Sequence, residues 1–244
     1  MISEIISNKN NELISNYNGI SYILLKIFVN PKKKLSLNEI STLSNIIHNY
    51  TNTNLPNWGL LWSNKIDYLE DLINENGKKY PLIVDSFNYF VGMAENAITY
   101  FNSIAFDNNY PVVISHKKIK WDDDLDILYN PMNIIFDYKA RDISEYIKIS
   151  FFNNSYSISS ELHSYLRSNN LSILDIKLII SRLLYPNFYF DLYEDVLVDN
   201  KSEKILLNII SKIDMYEEYI DSVIMFFKSI YDIDEIEWLK KRRH

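Results

Sequence analysis

Glycine is almost missing from this chain. Four occur in 244 residues, at Gly19, Gly59, Gly77 and Gly92, and they are widely separated. Loops that cradle phosphate need several glycines close together, so that backbone N–H groups can approach the anion. The sequence therefore holds no Walker A loop, no Rossmann fingerprint and no other Gly-rich phosphate loop. Cysteine is absent too, which removes disulfides, thiolate zinc sites and cysteine nucleophiles. No His-x-x-x-His or His-Glu-x-x-His spacing occurs, and there is no Gly-x-Ser-x-Gly elbow, so neither a zinc enzyme nor that type of serine hydrolase is expected.

What remains is ordinary globular material. Hydrophobic residues make up 47% of the chain, enough for a sizeable core, and charged residues 23%. The net charge of -7 argues against a nucleic-acid binder, which would show a basic face. No basic stretch followed by an apolar run opens the chain, and no run approaches the ~18 apolar residues of a membrane span. A cytoplasmic protein without signal peptide or transmembrane segment is expected.

The first thirty residues read as short strands: 2–7, 12–17 and 20–29. Asn18-Gly19 is the strongest hairpin signal among them. Two or three antiparallel strands are expected, too small a sheet to stand without a helical layer. From Pro31 the pattern turns helical. Ser36-Leu37-Asn38-Glu39 is a capping box, opening a helix to about Tyr50. A second helix runs from Trp58 to Asn76 and stops at Gly77, and a third, strongly apolar, runs over 82–104. Segment 111–138 breaks this rhythm with two short β-type runs around a polar loop. Helices resume over 143–152, 159–167, 173–184, 188–198, 203–213, 216–230 and 235–241. The stripe Tyr185, Phe188, Tyr189, Phe190, Tyr193 is expected to be core packing.

A polar loop between two short strands inside a helical body is where sites tend to sit. It begins Ser115-His116-Lys117-Lys118 and ends Asn133-Ile134-Ile135-Phe136-Asp137, followed by Arg141-Asp142-Ile143. A strand ending in His, a loop, a hydrophobic strand ending in Asp and a second Asp at a helix start resemble the aminoglycoside and choline kinase-type phosphotransferases. Within them, the phrases Gly92-Met93-Ala94-Glu95-Asn96, Ser115-His116-Lys117-Lys118, Arg141-Asp142-Ile143-Ser144-Glu145 and Arg182-Leu183-Leu184-Tyr185-Pro186 resemble the kinase-like spore coat proteins, the CotS/YutH group. The likeness spans roughly residues 10–200.

That resemblance implies an α+β, mostly α, fold: a protein-kinase-like C-lobe with a truncated N-terminal sheet. Residues 1–30 would be the remnant strand lobe. Residues 31–244 would be the helical lobe, with short strands near 111–115 and 133–137. The family's Gly-rich strand pair and its phosphate-binding lysine would fall ahead of residue 1. In the family a loop Asp two residues after the His takes the acceptor's proton, and the strand-end Asp holds Mg²⁺. Here the base position is Lys118. A lysine side chain is an ammonium at neutral pH and cannot accept a proton.

The strand-end Asp survives as Asp137, and the family's metal-binding Asn falls near Asp123 in Asp122-Asp123-Asp124. Both are candidate metal ligands, although the acidic run also reads as a solvated charge cluster. His116 is expected to be structural. Asp142 reads as a helix N-cap, and by the resemblance it braces the catalytic loop.

The expectation is a catalytically degenerate, kinase-like protein acting in binding or assembly, possibly a spore-coat one, with a protein partner and no cofactor. Two alternatives stay open: an active small-molecule phosphotransferase using Mg–ATP at Asp137, its substrate not identified, and a helical interaction domain unrelated to kinases.

Overall fold

The computed structural model describes residues 4–26, 36–44, 56–106, 110–119, 128, 130–153 and 158–240. Two compact units are present, one comprising residues 1–53 with 111–167 and the other 54–110 with 168–244.

The first unit opens with four short strands. β1 (Glu4–Ile6) pairs antiparallel with β4 (Leu24–Lys26), and β2 (Ser15–Tyr17) with β3 (Ile20–Tyr22). Asn18 (φ 50°) and Gly19 (φ 77°) both take positive φ, as a type I′ hairpin turn requires, so the Asn-Gly signal is realised. The expected run 20–29 is broken: residues 20–22 pair with β2, whereas 24–26 turn to β1. Asn8 shapes the first turn, its Oδ1 accepting the N–H groups of Asn10 and Glu12 at 2.8 and 3.0 Å.

α1 (Leu37–Ser44) begins at the expected box. Ser36 Oγ accepts the Glu39 N–H at 3.3 Å and donates to the Glu39 carboxylate at 2.9 Å. The expected continuation to Tyr50 lies outside the described residues. β5 (Val113–His116) and β6 (Ile134–Asp137) pair antiparallel, His116 opposite Ile134 and Val113 opposite Asp137. α4 (Ala140–Phe152) follows and packs with α1 against β5; α5 (Ile158–Ser168) completes the unit. Glu161 of α5 ties it together. It accepts the Leu37 N–H at 2.8 Å, one of the donors a helix start leaves without an internal partner, and the Tyr146 hydroxyl at 2.7 Å.

The second unit is helical. α2 (Trp58–Asn76) buries Trp58, Trp62, Ile66 and Leu69 at helical spacing and ends at the Gly77–Lys79 turn. α3 (Pro81–Asn102) starts with proline, whose missing N–H costs nothing there, and the Glu203 carboxylate accepts the Leu82 N–H at 3.0 Å. Against α3 lies α6 (Ile173–Leu184), opened by a Ser172/Asp175 capping box. α7 (Asn187–Leu197), α8 (Leu207–Ile210), α9 (Ile213–Lys228) and α10 (Glu237–Lys240) follow.

The helix expected over 203–213 is instead a 3₁₀ turn, Glu203–Leu206, and the single turn of α8. The Ser202 hydroxyl holds the Lys204 N–H, and Lys212 N–H bonds the carbonyl of Ile209, three residues back, which closes the turn before α9.

Four of the five residues of the aromatic stripe are core, as expected, and Phe188 is half-buried. Tyr185 stacks on Trp62 (4.5 Å between centroids), Tyr189 on Phe90 (3.7 Å) and Tyr193 on Phe87 (5.1 Å). Each buried hydroxyl needs a partner: Tyr189 bonds Ser86 and Tyr193 donates to the Leu69 carbonyl, both at 2.8 Å.

Candidate functional site

The polar loop leaves β5 at His116 and returns through Asn133 into β6, and its described ends are fixed by side chains. Asn133 extends the ladder by one residue, its carbonyl accepting the Lys117 N–H at 2.7 Å. Its amide then brackets the Lys118 main chain: Oδ1 accepts the Lys118 N–H at 3.0 Å, and Nδ2 donates to the Lys118 carbonyl at 2.9 Å. Residue 118 thus has a fixed backbone and an exposed position.

His116 is 1% exposed. Its Nδ1 lies 2.7 Å from Asp142 Oδ2 and its Nε2 lies 2.9 Å from the Leu128 carbonyl oxygen. A carboxylate and a carbonyl only accept, so these partners favour the ring protonated on both nitrogens. Burial, the largest single influence, favours the neutral ring. The hydrogen bond and charge of Asp142, with the Leu128 carbonyl, outweigh it and raise the pKa above its usual value. A doubly protonated ring has no lone pair for base catalysis. Both ring nitrogens are engaged by Asp142 and the Leu128 carbonyl.

Asp142 also accepts the His116 main-chain N–H, at 3.0 Å. It is not the N-cap expected from local sequence. It sits inside the first turn of α4, which begins at Ala140, and its carboxylate turns to the end of β5. A buried histidine ring is a stronger demand on a carboxylate than an exposed helix start, so the tertiary contact overrides the capping preference. The bracing role implied by the family resemblance is the one its hydrogen bonds perform.

Asp137 ends β6, 3% exposed, in the same region as His116 and Lys118. Both oxygens are engaged: Oδ1 accepts the Tyr138 N–H at 2.7 Å, and Oδ2 the Arg141 Nη1 at 2.7 Å. Arg141 also donates from Nε to the His116 carbonyl at 2.7 Å and from Nη2 to the Lys117 carbonyl at 3.0 Å. One guanidinium therefore holds the end of β5, the loop and the end of β6. A divalent ion at Asp137 Oδ2 would share that oxygen with the Arg141 guanidinium or displace it. Asp123 and its acidic neighbours lie outside the described residues. Among the described residues no cluster of three or more His, Asp or Glu could hold a metal.

The sequence reading missed Asn133, Arg141 and the Leu128 carbonyl. Asparagine is so common here that a single one carries little signal. Arg141 stands in the quoted phrase Arg141-Asp142, but no local pattern says that its side chain reaches across to residues 116, 117 and 137.

A strand-end His braced by a helical Asp, facing a strand that ends in Asp, sits in a fold shared with phosphotransferases. The crystal structure of an aminoglycoside phosphotransferase from Alicyclobacillus acidocaldarius subsp. acidocaldarius DSM 446 matches with a TM-score of 0.61 at 10% identity, covering 93% of this chain and 77% of that one. The fold is that of a kinase-like phosphotransferase. The family model described as "Spore coat putative kinase YutH" matches residues 1–223, and the chain belongs to that family. The endospore coat-associated protein YutH of Bacillus subtilis (strain 168) is 25% identical over 209 residues, which cover 75% of this chain and 61% of that relative. The chain thus spans less than two thirds of that relative's length. The paired strands β5 and β6 and the fold likeness set aside the reading as a helical domain unrelated to kinases. Among the described residues no helix is long and apolar enough to cross a membrane.

Proposed function

We propose that this chain is a catalytically degenerate, kinase-like protein that acts by binding or assembly in the spore coat rather than by phosphoryl transfer. On this reading residues 1–30 belong to the strand lobe and 31–244 to the helical lobe. The reading rests on Lys118, which by the family resemblance falls in the position of the catalytic base; its main chain is clamped by Asn133. Phosphoryl transfer needs a group there that accepts the hydroxyl proton, and an ammonium donates instead. The Arg141–Asp137 ion pair supports the same reading, because a fixed guanidinium already satisfies the carboxylate that a metal would use. The spore coat setting rests on the family and on the printed name of the Bacillus relative.

One observation favours a second reading, an active small-molecule phosphotransferase: Asp137 stands at the end of β6 in a phosphotransferase fold. That reading requires Arg141 to share the carboxylate with Mg²⁺ or to yield it. A thermal-shift titration with Mg–ATP separates the two, because a ligand that binds only the folded state raises the melting temperature by mass action. The non-catalytic reading expects no nucleotide-dependent rise in the wild type or in Asp137→Ala. A rise in the wild type that Asp137→Ala abolishes would favour the active enzyme.

A further inference from the structure

We propose that Asn18, at the tip of the β2–β3 hairpin, is a modification site: it loses its side-chain amide to attack by the Gly19 main chain, and the isoaspartate that results holds the hairpin open. The chain has two Asn-Gly pairs, Asn18-Gly19 and Asn76-Gly77. Glycine is the residue whose nitrogen no side chain shields. At Gly19 even an added Cβ would meet nothing within 4 Å, and both residues of the turn are exposed. Among the described residues no hydrogen bond engages the Asn18 amide or the Gly19 N–H. Both reacting groups are therefore open to solvent, whereas the nearby Asn16 side chain is tied to Ser21 at 2.7 Å.

The step consumes one water and releases ammonia. Hydroxide takes the Gly19 N–H proton, and the nitrogen attacks Asn18 Cγ. A cyclic imide closes as the Cγ–Nδ2 bond breaks, and Nδ2 leaves as ammonia with a proton from water. Water then opens the imide. Breaking the new Cγ–N bond gives an aspartate. Breaking the original main-chain bond gives an isoaspartate, joined to Gly19 through its side chain. A type I′ turn holds the Gly19 nitrogen away from Asn18 Cγ, so the imide closes when the hairpin opens. That opening costs little here. β2 and β3 form a sheet of their own and are exposed throughout, and an isolated two-stranded hairpin is marginal in water. Asn76 instead ends α2, which packs on α3, and Gly77 continues into a 3₁₀ turn, so reaction there must unwind the end of a packed helix. The two products differ in consequence. Asp-Gly suits the same turn. Isoaspartate lengthens the main chain by one carbon, which a two-residue turn that sets strand register does not absorb. The β2–β3 pairing is then lost in one direction only, and a negative charge enters residues 13–25, which carry none.

Peptide mapping by mass spectrometry tests this on the whole chain, held folded at mildly alkaline pH. The peptide spanning Asn18 is expected to convert to aspartate and isoaspartate about tenfold or more faster than the peptide spanning Asn76, the factor that ~1.4 kcal/mol less opening free energy gives. In urea, with both segments unfolded, the two should react alike. A second measurement tests the opening itself. The chain has no cysteine, and Asn16 and Ser21 stand directly opposite, so Asn16→Cys/Ser21→Cys can cross-link the hairpin. The oxidised variant should lose the Asn18 amide about tenfold or more slower than the same variant reduced. By NMR, cross-strand contacts between Asn16 and Ser21 should be present in the unmodified chain and missing from the isoaspartyl form. A folded chain in which Asn18 stays unchanged, or reacts no faster than Asn76, overturns the proposal. So does equal reaction of the oxidised and reduced variant, or a hairpin whose cross-strand contacts survive isoaspartate.

Discussion

Replacing Asp142 by alanine is expected to destabilise the protein by about 3–5 kcal/mol, because it strands a buried histidine ring and a buried N–H together. His116 and Asp142 side chains are 0% and 1% exposed, so water does not reach the ring to replace the carboxylate. Asp142→Asn keeps the shape and one acceptor and should cost less. Urea unfolding followed by circular dichroism gives the difference, and amide hydrogen exchange at His116 locates it. A cost for Asp142→Ala within ~0.5 kcal/mol of zero, the range of ordinary surface substitutions, would mean that the pair is not formed.

The same pair makes stability depend on pH with a defined sign. The folded pKa of His116 lies above its usual value. The folded state therefore holds the proton more tightly than the unfolded chain. This contribution is complete below the unfolded pKa, about 6.5, and is lost as pH rises through the higher folded value. The urea midpoint of the wild type should fall across that window, and His116→Gln should remove this component of the slope. A wild-type midpoint that rises over the same window, with the rise absent from His116→Gln, would reverse the assignment.

Trp58→Ala is expected to cost about 3–5 kcal/mol, the usual range for losing a buried tryptophan. Trp58 is 1% exposed and packs on Trp62 and Phe101, with ring centroids 5.5 and 5.8 Å away. The guanidinium of Arg182, itself 7% exposed, lies 5.0 Å from its ring. Truncation would leave a cavity and would remove the π-face beside a largely desolvated cation. Trp58→Phe keeps an aromatic face and should lose clearly less. Equal losses for the two variants in urea unfolding would show that ring contact contributes nothing there.

The features legible in the sequence are those that short-range physics decides. Asn18-Gly19 meets a positive-φ requirement at two successive residues. Ser36 and Glu39 satisfy a helix start from within four residues. The apolar spacing of α2, α3 and α6 follows the helical period, and the runs flanking the polar loop pair as read. What was not legible depends on partners far along the chain. Asp142 looks like a cap to its neighbours, yet its carboxylate is claimed by a histidine 26 residues earlier. Arg141 fits any helix start, and only the fold shows it joining residues 116, 117 and 137. Asn133 is hidden among many asparagines. Glu161 supports α1 from 124 residues away.

The proposed lack of phosphoryl transfer turns on Lys118 at the position that the family resemblance gives to the catalytic base. The direct measurement is release of labelled γ-phosphate from Mg–ATP by the purified chain, across a panel of small hydroxyl acceptors, beside Asp137→Ala. Release indistinguishable from buffer for both proteins is the expected result. Release by the wild type that disappears in Asp137→Ala would contradict it.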